Sequence, residues 1–472
     1  SMRKFSILKL GVLAIWALSS IMQLEGCANI VPPSGGPKDS LPPYLIAARP
    51  IDSALGVFPK EIVVGFNEFI TTTSIQENLI VSPTLKNTPL IDARLNSIKI
   101  RIADTLLDNT TYSIQFGDAI KDVNEGNILK NFTYVFSTGS RLDTGKIKGK
   151  VMLAESGRVD STFVVILQPA GKDSAIFKER PNYYTKLNGK GQFSFNFLPK
   201  GAFNIFVLPN DYTKKYDDST KFFAFLDSAI SIETAKDSLQ LYAFQGAKKP
   251  VKIKSNSSSK LPKKTGAILK YNKDFDGSEQ DILHPLHLTF ETPIHFNDSF
   301  PIALCDTFNK KLAGSSISID TAHPETIIVS YPWKFATKYR LIIPQASIKD
   351  SLNNILVKTD TLAFITKNEE AYNSATIRIK DFENLKNPIL QLSKEDKVKF
   401  SYPIVSALLT IKQLPLGEYT LSLLLDNNNN GKWDTGAYYG KQKLQPEIVQ
   451  WFSTPLNIRA NWENEINLIL NK

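Results

Sequence analysis

The residues best suited to chemistry lie in one short run, Asp426-Asn-Asn-Asn-Asn-Gly-Lys-Trp-Asp434. Asp426, Asn428, Asn430 and Asp434 recur at the spacing that wraps side-chain oxygens round a calcium ion. Gly431 would make the sharp turn, and Lys432 would offer its backbone carbonyl. Position twelve of such a loop is Ala437, so the bidentate glutamate of an EF-hand is missing; Glu447, in "QPE", is the acid that the following strand would have to return. Two formal charges suit a weak structural calcium site. The same residues also suit a plain Asn-rich turn, closed by side-chain to backbone hydrogen bonds. The matching stretch "PNDYTKKYDD" (209–218) lacks the Asn-Gly pattern, so the fold does not require it. No other cofactor is expected.

Other chemistry is sparse. Of four histidines, three fall in "HPLHLTFETPIH": His284, His287 and His295. On a strand, positions three apart face opposite ways, so His284 and His287 do not share a metal. No paired Cys-x-x-Cys, His-Glu-x-x-His or Gly-x-Ser-x-Gly pattern occurs, and no pair of carboxylates is marked by spacing as acid and base. Cys305, in "PIALCDTF", reads as a small buried apolar residue. The sequence predicts no catalytic residues and no enzyme. Trp433, Trp451 and Trp462 crowd the last forty residues, beside Phe452 and Arg459. Such side chains anchor protein partners or stack on sugars when exposed, and fill a core when buried.

The elements that must position these residues are strands. Runs such as "EIVVGFNEFI", "SIKIRIA", "TFVVILQ" and "GQFSFNFL" alternate or are rich in β-branched and aromatic residues. Gly, Pro, Asn and Asp clusters part them, and long amphipathic helical patterns are almost missing. The expected fold is all-β, a tandem of β-sandwiches. "TTYSIQFGDAIKDVNEGNIL" (110–129) reads as a gap-free match to "TKYRLIIPQASIKDSLNNIL" (337–356), and "FLPKGAFNIFVLPND" (197–211) matches "QLPLGEYTLSLLLDN" (413–427). The order is therefore A–B–A′–B′, with A at 41–140, B at 145–246, A′ at 265–367 and B′ at 371–472. A seven-lysine Ser/Asn/Pro stretch, 247–264, links the halves.

The start of the chain gives an address. Arg3, Lys4 and Lys9 flank an apolar run, "LGVLAIWALSSIMQL", which closes in "EGC" at Cys27. This reads as an export signal over 1–26, followed by a Pro/Gly tether over 27–40. The formal charge is +10, and the chain beyond residue 26, having lost three basic groups and Glu25, carries +8. On an exported chain that balance suits lipid phosphates or an acidic partner, and nucleic acid is not expected.

Several of these stretches resemble known families. "LEGC" resembles the lipobox of bacterial lipoproteins, which implies lipidation of Cys27, although Glu25 stands where that pattern prefers a small residue. Asp52, Gly56, Val57, Phe66, Glu68, Lys121 and Asp122 match the marks of the bacterial Ig-like domain of surface proteins. A′ keeps Phe290, Glu291, Lys349 and Asp350. The Leu-Pro-x-Gly-x-aromatic turn of B and B′ resembles transthyretin-like, carboxypeptidase-regulatory sandwiches. Together they resemble a Bacteroidota outer-membrane lipoprotein family. The resemblance implies a non-enzymatic, lipid-anchored subunit of an outer-membrane complex containing a β-barrel, in assembly or secretion machinery. The alternative it leaves open is a glycan-binding surface lipoprotein of a nutrient-uptake system. Ala28, Asn29, Ile30 and Val31 follow Cys27 with no acid before Asp39. That leans towards the periplasmic face while leaving the cell surface open.

Overall fold

The computed structural model describes residues 39–470 apart from 173, 235–237, 247–268, 276, 278, 352 and 440–442. The predicted signal, Cys27, most of the tether and the lysine-rich linker lie outside the described residues. The chain is all-β, built of tandem β-sandwich modules with a few single-turn helices. It divides into two compact units, Ser1–Thr144 with Phe197–Pro199, and Gly145–Asn196 with Lys200–Lys472.

In module A, strands Leu45–Arg49, Glu61–Phe66, Ser97–Arg101 and Leu90–Arg94 pair in that order. Thr133–Ser137, Thr111–Gln115 and Ile80–Ser82 form the facing sheet, and Ile70–Thr72 pairs with Ile120–Asp122. Alternation decides what goes inside. Along "EIVVGF", Ile62, Val64 and Phe66 are fully buried while Glu61 stands in water, because successive side chains leave a strand on opposite faces. Asp52, one of the family marks, accepts the N–H of Val135 at 2.9 Å and ties the opening strand to the closing one.

Module A′ repeats this order strand for strand. Tyr271–Lys273, Leu286–Phe290, Thr326–Ser330 and Ser316–Ile319 form one sheet. Asp360–Thr366, Lys338–Ile343 and Ala303–Cys305 form part of the other, and Ile294–Phe296 pairs with Ile348–Asp350. The pairings correct the gap-free match. Ile70 faces Asp122 and Ile294 faces Asp350, so the Ile-Lys-Asp strands correspond. A′ therefore has one residue more before that strand and one fewer in the turn after it. The turn explains both changes. Asp122 accepts N–H bonds from Glu125, Gly126 and Asn127, and Asp350 accepts that of Asn354. A carboxylate collecting backbone donors holds the turn at either length. The same pairing places Glu291 opposite the position of Asn67, and Thr292 at that of Glu68.

Modules B and B′ also share an order. In B, Tyr183–Lys186, Phe163–Pro169, Ala202–Pro209, Phe222–Phe225, Leu239–Gln245, Gly145–Leu153 and Gln192–Leu198 make one continuous sheet. In B′, Lys397–Pro403, Pro388–Lys394, Gly417–Leu425 and Ile448–Trp451 form one sheet. Leu408–Pro415, Tyr372–Lys380 and Asn464–Ile469 form the other. The first and last strands of each module pair in parallel. The Leu-Pro-x-Gly turn has a backbone reason. Gly201 and Gly417 hold φ of 134° and 136°, a region that side-chain-bearing residues rarely enter. In B′ the Tyr419 hydroxyl then donates to the Pro415 carbonyl at 2.9 Å.

Candidate functional site

The Asn-rich run opens the connection from strand Gly417–Leu425 to strand Ile448–Trp451. Asp426 is 0% exposed, with Oδ1 accepting the Asn430 N–H at 3.1 Å and Oδ2 the Gly431 N–H at 2.7 Å. Gly431 sits at φ 78°, the left-handed turn that its place in the motif demands. Asn428 and Asn430 both donate Nδ2 to Asp434 Oδ2 at 2.6 Å. The Lys432 N–H goes to Asn430 Oδ1 at 2.8 Å, and its side chain is exposed.

The structure adds the acid that spacing alone did not assign. Glu447, 4% exposed, accepts the Asn427 N–H through Oε1 at 2.7 Å and the Asp434 N–H through Oε2 at 3.0 Å. Asp426, Asn428, Asn430, Asp434 and Glu447 thus belong to one hydrogen-bonded loop, but the Asn428 and Asn430 amide nitrogens face Asp434, and among the described residues the three carboxylates are not gathered within 4.8 Å of one another. Hard oxygen donors of this kind are what calcium takes.

The remainder of the loop does something that the sequence reading missed. It leaves B′ and completes the core of B. Tyr438 is 6% exposed and packs with Phe206, Phe223, Phe225 and Tyr216 of module B. Its ring centroid stands 4.9 Å from both Phe223 and Phe225, and edge-on to Phe206 at 5.7 Å. Tyr439 donates to the Tyr216 carbonyl, Gln445 Nε2 to the Phe225 carbonyl, and Thr435 Oγ1 to the Gln245 carbonyl. Two glycines permit the approach. A Cβ on Gly436 would lie 2.7 Å from the Phe244 ring, and one on Gly157 would overlap the Trp451 ring. The backbones meet as well, since Val449 N–H donates to the Ala154 carbonyl at 2.9 Å. This docking joins B and B′, which lie in the same compact unit. The signal for it was available: "TGAYY" puts adjacent tyrosines in a loop, where exposed rings are costly.

The three tryptophans separate. Trp433 is half-buried, donates Nε1 to the Glu447 carbonyl at 2.8 Å, and packs on the contact between B and B′. Trp451 is half-buried against Gly157, with the Arg158 guanidinium 5.3 Å from its ring. Their indoles are thus committed within the chain and do not form one outward-facing row. Trp462 alone of the three is exposed, at 64%, with Arg459 5.6 Å from its ring.

The histidines scatter. His284 lies against the Phe400 ring at 4.9 Å, His287 Nδ1 meets Asp274 Oδ2 at 2.6 Å, and His295 is exposed on another strand. Cys305 is buried, and burial pushes its thiol pKa up, away from a reactive thiolate. In module A, the carboxylates of Glu68, Asp122 and Glu125 lie within 4.8 Å of one another. Burial first, then the charges of Asp122, Asp39 and Glu125, raise the Glu68 pKa. Burial would also raise Asp122, but its backbone donors outweigh this and hold it below the usual carboxylate value. Among the described residues no helix is long and apolar enough to cross a membrane.

No curated protein matches the chain. Among solved structures it is similar to the TIE protein of Bacillus anthracis, at 14% identity over 93% of this chain and 75% of that one, with a TM-score of 0.16. The S-layer protein rSbsC(31-844) matches at 12% identity over 90% of this chain and 54% of that one, TM-score 0.16. BcpA, the major pilin subunit of Bacillus cereus, matches at 8% over 70% of this chain and 99% of that one, TM-score 0.17. Residues 39–138, module A, match the family model of the bacterial Ig-like domain.

Proposed function

We propose that this chain is a non-enzymatic, lipid-anchored structural and interaction subunit of an outer-membrane protein complex. Attachment is through Cys27, and the partner contains a β-barrel. One observation carries the reading. The connection 426–447, the long loop where an active site would be expected, is spent on joining two sandwiches. Its aromatic residues enter the core of B, and its buried carboxylates accept backbone N–H bonds that hold the loop closed. A loop so committed supports assembly. Trp462, exposed beside Arg459, is a side chain of the terminal module that suits a partner.

We also propose that Asp426, Asn428, Asn430, Asp434, Glu447 and the Lys432 carbonyl hold a structural calcium ion. The ion would stiffen the loop that carries Tyr438, so calcium would strengthen the B–B′ contact. The glycan-binding alternative rests on Trp462 as a stacking platform. It is the weaker reading, because Trp433 and Trp451, the other rings of such a platform, are turned inward. The test of anchorage is fractionation of cells carrying Cys27→Ser. The variant is expected in the soluble fraction, whereas persistence in salt-washed outer membrane would reject the anchor.

A further inference from the structure

Backbone bonds gather four segments at one end of module A: 39–44, 67–70, 94–96 and 122–128. Asn67 N–H donates to the Tyr44 carbonyl, Ile70 N–H to that of Leu95, and Val123 N–H to that of Phe69. Asn127 Nδ2 donates to the Asp39 carbonyl, fixing the point where the chain enters. At this end Tyr44 is 62% exposed, Phe69 56%, Leu95 71% and Val123 55%. Leu95 is unfavourable twice over. It is an apolar side chain in water at a hairpin tip, and it holds φ 52°, where Gly or Asn would sit with less strain.

The repeat supplies an internal control. By strand pairing, A′ has Lys270 where A has Tyr44, Pro293 for Phe69 and Ser351 for Val123. The hairpin tip of Leu95 becomes the polar turn 320–325. The fold forms without these apolar residues, so they answer to something outside it.

We infer that this end of module A is a lipid-facing surface, whose aromatic and aliphatic tips enter the interfacial layer of a zwitterionic membrane. The inference rests on the anchor reading in one respect. Cys27 and Asp39 are twelve positions apart, and a chain of that length spans at most about 40 Å. A lipidated Cys27 therefore keeps this end within about 40 Å of the bilayer. Tyr, Phe and Leu are residues that settle in that layer. Asp39, Glu68 and Glu125 stand at the same end, so a zwitterionic surface suits it and a strongly anionic one does not.

The test is flotation of the chain from residue 27, carrying Cys27→Ser, with phosphatidylcholine vesicles. The chain is expected to float, and Phe69→Ser with Leu95→Asn is expected to weaken binding at least tenfold. Leu95→Asn alone, which relieves the strained φ and so favours the fold, is also expected to weaken binding. Phe308→Ser, removing a ring that is 89% exposed on A′, is expected to bind as the parent does. The inference is overturned if the parent chain does not float, if the double variant binds equally well, or if Phe308→Ser weakens binding as much. Fatty-acid labelling of cells separates the two readings. Labelled Cys27 with failed flotation overturns the lipid-facing surface alone, and flotation without labelling overturns the anchor alone.

Discussion

Tyr438→Ala is expected to destabilise module B, although Tyr438 belongs to module B′. The ring is almost wholly buried among Phe206, Phe223, Phe225 and Tyr216. A buried aromatic side chain removes roughly 150–250 Å² from water, worth about 4–6 kcal/mol at roughly 25 cal/mol per Å² as an upper bound. Measured truncations of such rings cost about 3–5 kcal/mol. Domains are stable by only about 5–15 kcal/mol, so the loss is a large fraction of what holds B folded. The assay is hydrogen exchange at strands Ala202–Pro209 and Phe222–Phe225 in the full chain. If exchange there passes through opening of the module, 3–5 kcal/mol speeds it by roughly two to three and a half powers of ten. Trp433 and Trp451, at the same contact, should shift to the red while Trp333, buried in A′, does not. A double-mutant cycle with Phe225→Ala should give a coupling of about 1 kcal/mol. Unchanged exchange in both strands, with loosening confined to 435–447, would refute the idea that the loop completes the core of B.

Three further outcomes are expected. Glu447→Gln should abolish the rise in melting temperature produced by millimolar calcium in the parent chain; calorimetry showing no calcium heat in the parent would reject the ion site. Asp122→Asn should cost about 1–2 kcal/mol at pH 7 by weakening backbone bonds to a buried carboxylate, read as faster exchange over 120–128. Because the folded Asp122 pKa lies below its ordinary 3.8, its stabilisation is present above that pH and lost as pH falls below it. The difference between parent and variant should therefore shrink at pH 3, and a constant difference would contradict the assignment. Gly157→Ala should loosen Trp451, since the new Cβ meets that ring at a φ of 63° that disfavours alanine; an unaltered emission spectrum would count against the B–B′ contact.

How far the sequence carries depends on whether a feature is local. Alternation in "EIVVGF" acts through neighbouring residues and read correctly. The Asp-x-Asn-x-Asn-Gly turn also closes on itself as its spacing implies, with Asp426 buried beneath it. Glu447 is thirteen residues past Asp434, and only strand Ile448–Trp451 fixes where it returns, so spacing could not assign it. The adjacent tyrosines of "TGAYY" signalled burial, but where Tyr438 is buried was illegible, because its partners lie more than two hundred residues away in B. The single-residue offset of Ile-Lys-Asp between A and A′ was hidden because matching flanks on both sides favoured a straight alignment.

The central claim is that the chain works as an assembled subunit. The most direct measurement is purification of the lipidated protein from outer membranes in mild detergent, with partners identified and quantified. The account predicts a stoichiometric outer-membrane β-barrel protein that is retained through salt and depleted by Trp462→Ala. Recovery of the chain alone, or turnover of a glycan or peptide that vanishes on mutating one carboxylate, would contradict it.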